Sequence, residues 1–328
     1  MIEVENLTKR YGYTTAISDI TFNVERGEIL GFLGPNGAGK TTTMRILAGY
    51  LPATSGTVRI AGYDIRKGSL LVRRQIGYLP ETPPLYPEMT VEGFLYFVAC
   101  IKGISPGERT SKVKSAIIRC NLQDNVYTII RKLSKGYRQR VGIAQAIIHE
   151  PPVIILDEPT VGLDPRQIIE VRNLIRNLAG SHTILLSTHI LPEVSMTCSR
   201  VVIINGGKVV ATNTPEKLMT DIASNYNYKL EVSGEVNLIR ELLQNIPEVV
   251  SIEVISTNGK SDQNNDKTNR TNLLVISKPG TEVGVSISTL LIQHGFGLYQ
   301  MQRISASLED VFLQLTTAEK NLQSNTII

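Results

Sequence analysis

The sequence predicts an α/β fold built around a parallel sheet, followed by a smaller α+β domain. Two apolar runs predict the sheet: Ile29–Leu33 leads into a glycine-rich stretch and a helical pattern, and Val153–Leu156 ends in two acidic residues. Short apolar runs bounded by turn signals are typical of buried parallel strands. After about residue 215 the elements follow the order strand, helix, strand, strand, helix, strand, which is typical of a ferredoxin-like domain.

The composition indicates a soluble globular protein of two domains. The chain has 328 residues, of which 42% are hydrophobic and 20% are charged, and a domain has about 150 residues. Its apolar runs fall short of the roughly 20 residues that cross a bilayer, and its start lacks the basic and apolar segments of a signal peptide. We therefore expect a cytoplasmic protein. The three cysteines are widely spaced, which predicts reduced side chains rather than disulfides or metal ligands.

The first residues predict an antiparallel β piece before the glycine-rich stretch. Ile2–Val4 and Ile20–Val24 alternate between apolar and polar side chains, as strands with one buried face do. Between them, Tyr11 and Tyr13 flank a glycine. An aromatic ring here either stacks on a flat ligand such as adenine or covers a surface turn. The residues alone leave both interpretations open.

The stretch after Ile29–Leu33 matches the pattern G-x-x-x-x-G-K-[ST] of a phosphate-binding loop. Its residues are Gly34, Pro35, Asn36, Gly37, Ala38, Gly39, Lys40, Thr41 and Thr42. Glycines allow a tight turn in which successive N–H groups point at an anion, and the helix that follows adds the positive end of its dipole. In this pattern Lys40 reaches the β- and γ-phosphates of a nucleotide, and Thr41 offers its hydroxyl to Mg²⁺.

The next part predicts strands interrupted by a helical subdomain. Ser55–Ile60 and Ile76–Leu79 have the composition of strands. The four prolines of Pro80–Pro87 predict a loop, because proline fits neither a helix interior nor a central strand. A helix is expected after Thr90, a typical N-cap, and another helix follows it. We place the helical subdomain at about residues 82–150.

Polar residues stand at the ends of three further predicted elements, one helix and two strands. Ser134 begins a helical pattern, which places its hydroxyl and backbone N–H groups at a positive helix end. Asp157 and Glu158 follow an apolar strand, and open α/β sheets bind ligands at the carboxyl ends of their strands. A helix-capping acidic pair is the alternative. His189 follows the strand predicted at Thr183–Leu186, and a single histidine of this kind is either structural or part of the same site.

The last third of the chain predicts an α+β domain without a catalytic constellation. Its predicted strands and helices are Tyr226–Val232, Val236–Leu243 (helix), Val249–Ile255, Leu273–Ile276, Val283–His294 (helix) and Gly297–Ile304. Residues 256–271 are almost wholly polar, which predicts a mobile loop. A closing helix is expected from Ser307.

These motifs, in this order, resemble those of the ATP-binding cassette ATPase subunit of an ABC transporter. The resemblance rests on the phosphate loop, the octet Leu133–Arg140, the strand that ends in Asp157 and Glu158, and the triplet that ends in His189. It covers about residues 1–215. Any one motif indicates only a P-loop NTPase, whereas the ordered set is specific to the cassette family.

The resemblance implies a P-loop NTPase cassette over residues 1–215, with a RecA-like core, an antiparallel β piece and the helical subdomain. Residues 216–328 would then form an accessory domain. The turns near residues 78–91 and the terminal Ser307–Phe312 resemble the ABC-2-type exporter branch.

The resemblance also implies a role for each motif in binding ATP and Mg²⁺. Tyr11 would stack on adenine, and Gly34–Thr42 would hold the phosphates. Asp157 would hold Mg²⁺, directly or through water. Glu158 would act as general base on the attacking water, and His189 would contact the γ-phosphate. This division fits phosphoryl transfer, which needs a metal, a positioned water and cations around the γ-phosphate.

A dimer of cassettes follows from the same resemblance. Ser134 and Gly136 would contact ATP bound by the other cassette, and Asp164 would lie at the seam between the two. One cassette alone would not complete a site. The partner cassette is expected to be a second copy of this chain or a related chain.

Three residues depart from the family pattern. Glu81 stands where the family usually has a glutamine; a carboxylate accepts hydrogen bonds and meets Mg²⁺ but cannot donate as an amide does. Lys135 and Tyr137 replace a glycine and a glutamine of the usual signature. Lys135 either adds a cation beside the γ-phosphate or is a solvated lysine at a helix start, and both interpretations remain open.

The function implied is that of the ATP-hydrolysing motor subunit of an ABC-2-type transporter, active in export. Its partner would be a separate integral membrane permease. The chain itself would be cytoplasmic and peripheral on the cytoplasmic face of the cell membrane, with no direct nucleic-acid contact. Two alternatives remain: a soluble ABC ATPase acting on nucleic acid or ribosomes, and a weakly hydrolysing regulatory module. The basic character of the chain, with a formal net charge of +4, does not decide between them.

Overall fold

The chain divides into two compact units, Met1–Pro215 and Glu216–Ile328. The computed structural model describes residues 1–222, 225–258 and 270–304, together with 309 and 312. Most of the predicted mobile loop and most of the predicted closing helix lie outside the described residues.

The first unit contains a mixed sheet, an antiparallel sheet and the helices that cover them. Its strands are β1 (Ile2–Tyr11), β2 (Thr14–Val24), β3 (Ile29–Leu33), β4 (Ser55–Ile60), β5 (Tyr63–Asp64), β6 (Ile76–Leu79), β7 (Val153–Asp157), β8 (Thr183–Thr188), β9 (Arg200–Asn205) and β10 (Lys208–Asn213). Its helices are α1 (Lys40–Leu47), α2 (Ser69–Arg74), α3 (Val91–Ile101), α4 (Pro106–Arg119), α5 (Lys135–Ile147), α6 (Pro165–Leu178) and α7 (Leu191–Thr197). Helix α8 (Pro215–Ile222) begins at the boundary between the units.

The larger sheet has the strand order β10-β9-β3-β8-β7-β6. Strands β9, β3, β8, β7 and β6 are parallel, and β10 runs antiparallel at the edge. Every residue of β3, β7 and β8 is buried, which confirms the prediction of a buried parallel core. Because β8 lies between β3 and β7, the loops after Leu33, Asp157 and Thr188 begin at one edge of the sheet. This order brings three predicted motifs together.

The antiparallel sheet, with the order β2-β1-β4-β5, confirms the predicted antiparallel β piece. Its buried side chains share one core with the first strand of the parallel sheet. Phe22 of β2 and Phe32 of β3 mark this junction, with ring centroids 5.3 Å apart. Apolar burial of this kind holds the two sheets around helix α1.

Helices α3, α4 and α5 follow β6 and precede β7 along the chain, and they pack against one another. Thr90 caps α3, since its Oγ1 accepts a hydrogen bond from the Gly93 N–H at 3.1 Å, and α3 ends at Ile101 as predicted. Within the residues that the structure describes, no helix combines the length and apolar character needed to cross a membrane.

The second unit is an antiparallel sheet covered by two helices. Its elements are β11 (Asn225–Ser233), α9 (Val236–Gln244), β12 (Val249–Asn258), β13 (Arg270–Pro279), α10 (Gly284–Gln293) and β14 (Gly297–Ile304). The sheet order is β12-β13-β11-β14, so the predicted βαββαβ arrangement is present. Leu230, Ile239, Leu273 and Ile287 are central to its own core.

Candidate functional site

The phosphate loop runs from the end of β3 to the start of α1. Gly39 precedes the helix with φ 102°, in the left-handed region that glycine adopts most readily. A Cβ atom at Gly39 would also stand 2.5 Å from Cγ2 of Ile17, and one at Gly34 would collide with the carbonyl oxygen of Ile204. These two glycines let the loop fold tightly against the sheet and present the helix N-terminus to an anion.

The buried ammonium group of Lys40 lies over the loop. Its Nζ donates to the carbonyl oxygens of Gly34 at 2.8 Å and Pro35 at 3.2 Å. The same atom is 3.3 Å from Oε1 of Glu158. A phosphate entering the loop would therefore meet a cation that is already oriented, and it would compete with these partners for the ammonium group.

Glu158 connects the loop with the end of β8. Its φ of 51° lies in the left-handed region, which is uncommon for a residue other than glycine and is frequent at functional sites. The Glu158 N–H donates to the Ser187 carbonyl at 2.9 Å. Nδ1 of His189 lies 2.8 Å from Oε2 of Glu158, and because a carboxylate only accepts, Nδ1 must carry the hydrogen. Lys40, Glu158 and His189 thus form one connected group.

Asp157 is a buried carboxylate beside this group, with 0% of its surface exposed. Within the described residues neither of its oxygens has a well-aligned hydrogen-bond partner, and the hydroxyl of Ser187 is likewise unpaired. Burial raises the pKa of Asp157, the Ser187 and Thr41 hydroxyls lower it, and the Glu158 and Glu81 carboxylates raise it. An unpartnered buried carboxylate requires compensation, which a cation supplies.

The donor set fits Mg²⁺ better than a metal held by the protein alone. No cluster of three or more His, Cys, Asp or Glu side chains suited to a metal occurs in the described part of the chain. Mg²⁺ is commonly bound by one or two carboxylates, water and the phosphates of a substrate. Asp157, the Thr41 hydroxyl and Glu81 provide oxygen atoms of this kind.

A cavity of about 710 Å³ opens between the loop and these side chains. The predicted residues that line it are Asn36, Gly37, Gly39, Lys40, Thr41, Thr42, Glu81, Glu158 and His189. The structure adds lining residues that the motifs did not predict: Thr14, Thr15, Ala16, Val161 and Gly206. Of the remaining loop residues, Gly34 and Pro35 hold Lys40 through their carbonyl groups, and the Ala38 N–H donates to the Pro35 carbonyl at 3.2 Å.

The sequence carries one signal for these added lining residues. It is the pair Gly206–Gly207, which forms the turn between β9 and β10. The Gly207 N–H donates to the Ala38 carbonyl at 3.1 Å, and the Gly207 carbonyl accepts from the Ser18 N–H at 2.8 Å. A Cβ at Gly207 would stand 2.7 Å from the Ala16 carbonyl oxygen. The turn thereby joins the phosphate loop to the start of β2.

Tyr11 lies at the end of β1, three residues before the lining begins at Thr14. Its side chain is 50% exposed, and the Lys9 ammonium group lies 5.2 Å from the ring centroid. The structure therefore places an accessible ring near the cavity rather than in its wall. Tyr13, the other ring of the pair, is fully exposed.

Ser134, Gly136 and Asp164 occupy two helix N-termini outside the cavity lining. The Ser134 Oγ accepts from the Tyr137 N–H at 3.3 Å and caps α5, and the Asp164 carboxylate accepts from the Gln167 N–H at 2.9 Å and caps α6. A Cβ at Gly136 would stand 2.7 Å from Gln167, so the starts of α5 and α6 are in contact.

Lys135 is exposed at the start of α5, which agrees with a solvated lysine. Its ammonium group packs against Gly162 of the same chain, where a Cβ atom would collide with it. Gly162 has a φ of 69° and belongs to the turn between β7 and α6. The side chain therefore connects the start of α5 with that turn.

The fold and this site define a P-loop ATPase with an inserted helical subdomain. The family model described as ABC transporter matches residues 17–161. The chain is 32% identical over 318 residues to the uncharacterized ABC transporter ATP-binding protein YxlF of Bacillus subtilis (strain 168), covering 97% of this chain and 100% of that protein. It is also 32% identical to Nod factor export ATP-binding protein I of Ralstonia nicotianae (strain ATCC BAA-1114 / GMI1000), covering 97% and 94%.

A solved structure agrees with these relatives. The dimeric, post-hydrolysis structure of the ATP-binding cassette MJ0796 bound to ADP and Pi is 25% identical and has a TM-score of 0.60, covering 65% of this chain and 98% of that one. The chain belongs to the ABC transporter family, as an ATP-binding subunit. It is the ATP-hydrolysing motor subunit of an ABC-2-type transporter.

Proposed function

We propose that two copies of the chain close on two molecules of MgATP and that hydrolysis lets them separate. The observation that carries the proposal is the connected group Lys40, Glu158 and His189 beside the unpartnered carboxylate of Asp157. Phosphoryl transfer requires positioning and charge stabilisation, and these are the groups that supply them.

Each residue of the group has a defined role. Lys40 leaves the loop carbonyls and binds the β- and γ-phosphates. Glu158 accepts a proton from the attacking water, and His189, which hydrogen-bonds to Glu158 at 2.8 Å, orients this carboxylate and contacts the γ-phosphate. Mg²⁺, held by Thr41 and Asp157 with Glu81 nearby, would neutralise charge on the phosphates.

The residues outside the cavity lining act on nucleotide bound by the other copy. Ser134 and Gly136 present the N-terminus of α5 to that nucleotide, and Asp164 lies at the seam. Tyr11 stacks on adenine, for which its half-exposed ring is accessible. A helix N-terminus favours an anion such as the γ-phosphate, so closure of the dimer completes each site.

The membrane partner docks on an aromatic groove of the first unit. This groove has a volume of about 790 Å³ and includes Tyr50, Tyr86 and Phe97. Tyr50 and Tyr86 are 73% and 53% exposed, and the rings of Tyr86 and Phe97 meet edge to face at 5.3 Å. Exposed aromatic clusters are typical of protein interfaces. An integral membrane permease would fill the groove at the cytoplasmic face of the membrane, as part of an exporter.

The second unit, residues 216–328, is an accessory domain with a regulatory or dimer-supporting role. Its buried apolar side chains form a core of their own. Deletion after Pro215 should alter turnover or its dependence on the partner; unchanged turnover and regulation would contradict this role.

The test of the proposed site is the Glu158→Gln variant, compared with Glu108→Gln on the exposed start of α4. We expect Glu158→Gln to lose hydrolysis by a factor of about 10² or more and to accumulate as an ATP-bound dimer in size-exclusion chromatography. Glu108→Gln should resemble the wild type in both measurements. Full hydrolysis by Glu158→Gln would show that Glu158 is not the base.

A further inference from the structure

A single buried carboxylate joins the two segments that carry Glu158 and His189. Glu193, in α7, is 3% exposed. Its Oε2 accepts a hydrogen bond from Oγ1 of Thr188 at 2.8 Å, and its Oε1 accepts one from Oγ1 of Thr160. Thr188 is the last residue of β8, and Thr160 follows β7. Glu193 therefore bridges two neighbouring strand ends.

These contacts close a ring around the catalytic pair. Thr160 lies two residues after Glu158, and Thr188 directly precedes His189. On the other side, Nδ1 of His189 is 2.8 Å from Oε2 of Glu158. The ring thus runs from Glu158 through Thr160, Glu193 and Thr188 to His189 and back to Glu158.

The ring begins where the backbone pairing of the sheet ends. The last paired residues of β7 and β8 are Asp157 and Ser187, and the Glu158 N–H adds one more bond to the Ser187 carbonyl at 2.9 Å. Beyond this point the two segments diverge into separate turns. Side-chain hydrogen bonds through Glu193 replace the backbone ladder there.

A buried carboxylate bridge costs more free energy than an apolar contact in the same place. What it adds is a fixed orientation of the groups that it joins. A buried carboxylate has a large desolvation penalty, and burial indeed raises the pKa of Glu193, while the Thr160 and Thr188 hydroxyls lower it. Glu158 raises this pKa and His189 lowers it. Apolar side chains of similar volume often replace buried polar groups without loss of stability. Hydroxyl donors on both oxygens, by contrast, fix the direction of each contact.

We propose that Glu193 is a positioning residue for ATP hydrolysis, which holds Glu158 and His189 in register through Thr160 and Thr188. It touches neither the nucleotide nor the attacking water. Without the bridge, the turn after β7 and the turn after β8 move independently, and the carboxylate of Glu158 loses its fixed direction. This inference rests on the roles proposed above for Glu158 and His189.

The inference is tested in the full chain with Glu193→Ala, Glu193→Gln and the control His182→Ala. His182 is buried at the opposite end of β8, where its Nδ1 is 2.7 Å from the Pro151 carbonyl oxygen. Its substitution also removes a buried polar contact of this strand, but far from the ring. The measurements are kcat, ATP affinity and the thermal unfolding midpoint of each variant.

We expect Glu193→Ala to lower kcat by a factor on the order of ten to one hundred, with ATP affinity within about twofold of the wild type. Glu193→Gln retains the shape of the side chain. Its carbonyl oxygen accepts from one threonine hydroxyl and its amide N–H donates to the other, since a hydroxyl also accepts. Both contacts of the ring are kept, so this variant should recover most of kcat. His182→Ala should lower the unfolding midpoint and leave kcat unchanged.

A second pair of variants opens the ring without removing Glu193. Thr160→Val and Thr188→Val keep the side-chain volume and delete one hydroxyl each. Because one break already frees the two turns, the double variant should lose no more kcat than the single variant with the larger loss. Fully additive losses in kcat would contradict a closed ring. These variants also test the inference if Glu193→Ala does not fold.

The outcomes separate this inference from the proposed site. Normal kcat in Glu193→Ala and in both threonine variants, with Glu158→Gln inactive, overturns the role of Glu193 alone. An active Glu158→Gln overturns the proposed site itself. A loss of kcat in His182→Ala equal to that in Glu193→Ala, at equal unfolding midpoints, means that strand stability rather than positioning is responsible, and also overturns the inference.

Discussion

The ion pair between Lys40 and Glu158 must open when a nucleotide phosphate enters the loop. The two side chains are buried, with Nζ and Oε1 3.3 Å apart. Two unit charges at that distance attract each other by about 5 kcal/mol in a medium with an effective dielectric constant of about 20. Binding of the nucleotide breaks this attraction and replaces it with the attraction between Lys40 and the phosphates. The free subunit therefore has a lower nucleotide affinity than it would have if Lys40 were unpaired.

Glu158→Gln should therefore increase the affinity of the free subunit for ADP. Only part of the attraction is recovered, because Nζ keeps its hydrogen bonds to the Gly34 and Pro35 carbonyl groups. We expect a net gain of about 1–2 kcal/mol, which is a factor of about 5–30 in the dissociation constant.

Isothermal titration calorimetry with ADP measures this affinity without hydrolysis. Glu108→Gln is the control, since it removes a carboxylate of the same size from an exposed helix start far from the loop. The gain in ADP affinity should depend only weakly on salt concentration, because buried pairs are weakly screened. Equal ADP affinity in Glu158→Gln and wild type would refute the reasoning.

Three further outcomes concern stability and reactivity. Phe32→Ala, which removes a ring that is 0% exposed, should lower the free energy of unfolding by about 3–5 kcal/mol, measured by urea denaturation. Burial raises the pKa of Cys120 to about 12 and raises that of Cys198, so iodoacetamide at pH 8 should modify the exposed Cys100 and spare both others in intact-protein mass spectrometry. Burial lowers the pKa of His149 from 6.5 to about 4, so the unfolded chain binds its proton first. The corresponding stability is complete above pH 6.5 and is lost as the pH falls towards 4, by about 3 kcal/mol; His149→Asn should flatten this part of the profile.

Each of these outcomes has a contrary result. A loss below 1 kcal/mol in Phe32→Ala would mean that the core around the ring collapses into the space. Rapid modification of Cys120 in the native protein would contradict its burial. An unchanged dependence of stability on pH in His149→Asn would assign the dependence to other groups.

Elements defined by local signals were predicted well. Strand β6 was placed at Ile76–Leu79, and helix α3 was placed after Thr90 and ended at Ile101, as the structure has them. The cap of α3 is a hydrogen bond between Thr90 and Gly93, three residues apart. Such bonds depend on residues within one helical turn, and a sequence displays those residues side by side.

The walls of the nucleotide cavity were only partly predictable. The phosphate loop follows from its pattern, and Glu158 and His189 follow from their positions after apolar strands. Thr14 to Ala16 were not predicted, because they belong to no sequence motif. Their place in the wall depends on backbone contacts with the Gly206–Gly207 turn. Likewise, the contact between Lys135 and Gly162 joins segments that only the packing of α5 beside α6 brings together.

By itself, the sequence determined the class of chemistry: glycines, a lysine and carboxylates at strand ends specify a nucleotide site. Tertiary structure decided which groups touch. Glu193 and Thr160 are 33 residues apart in the chain, and they meet because β7 and β8 are neighbours and α7 packs back against β8. A hydrogen bond across such a distance has no periodic signal in the sequence, since its geometry is set by the order of strands in the sheet.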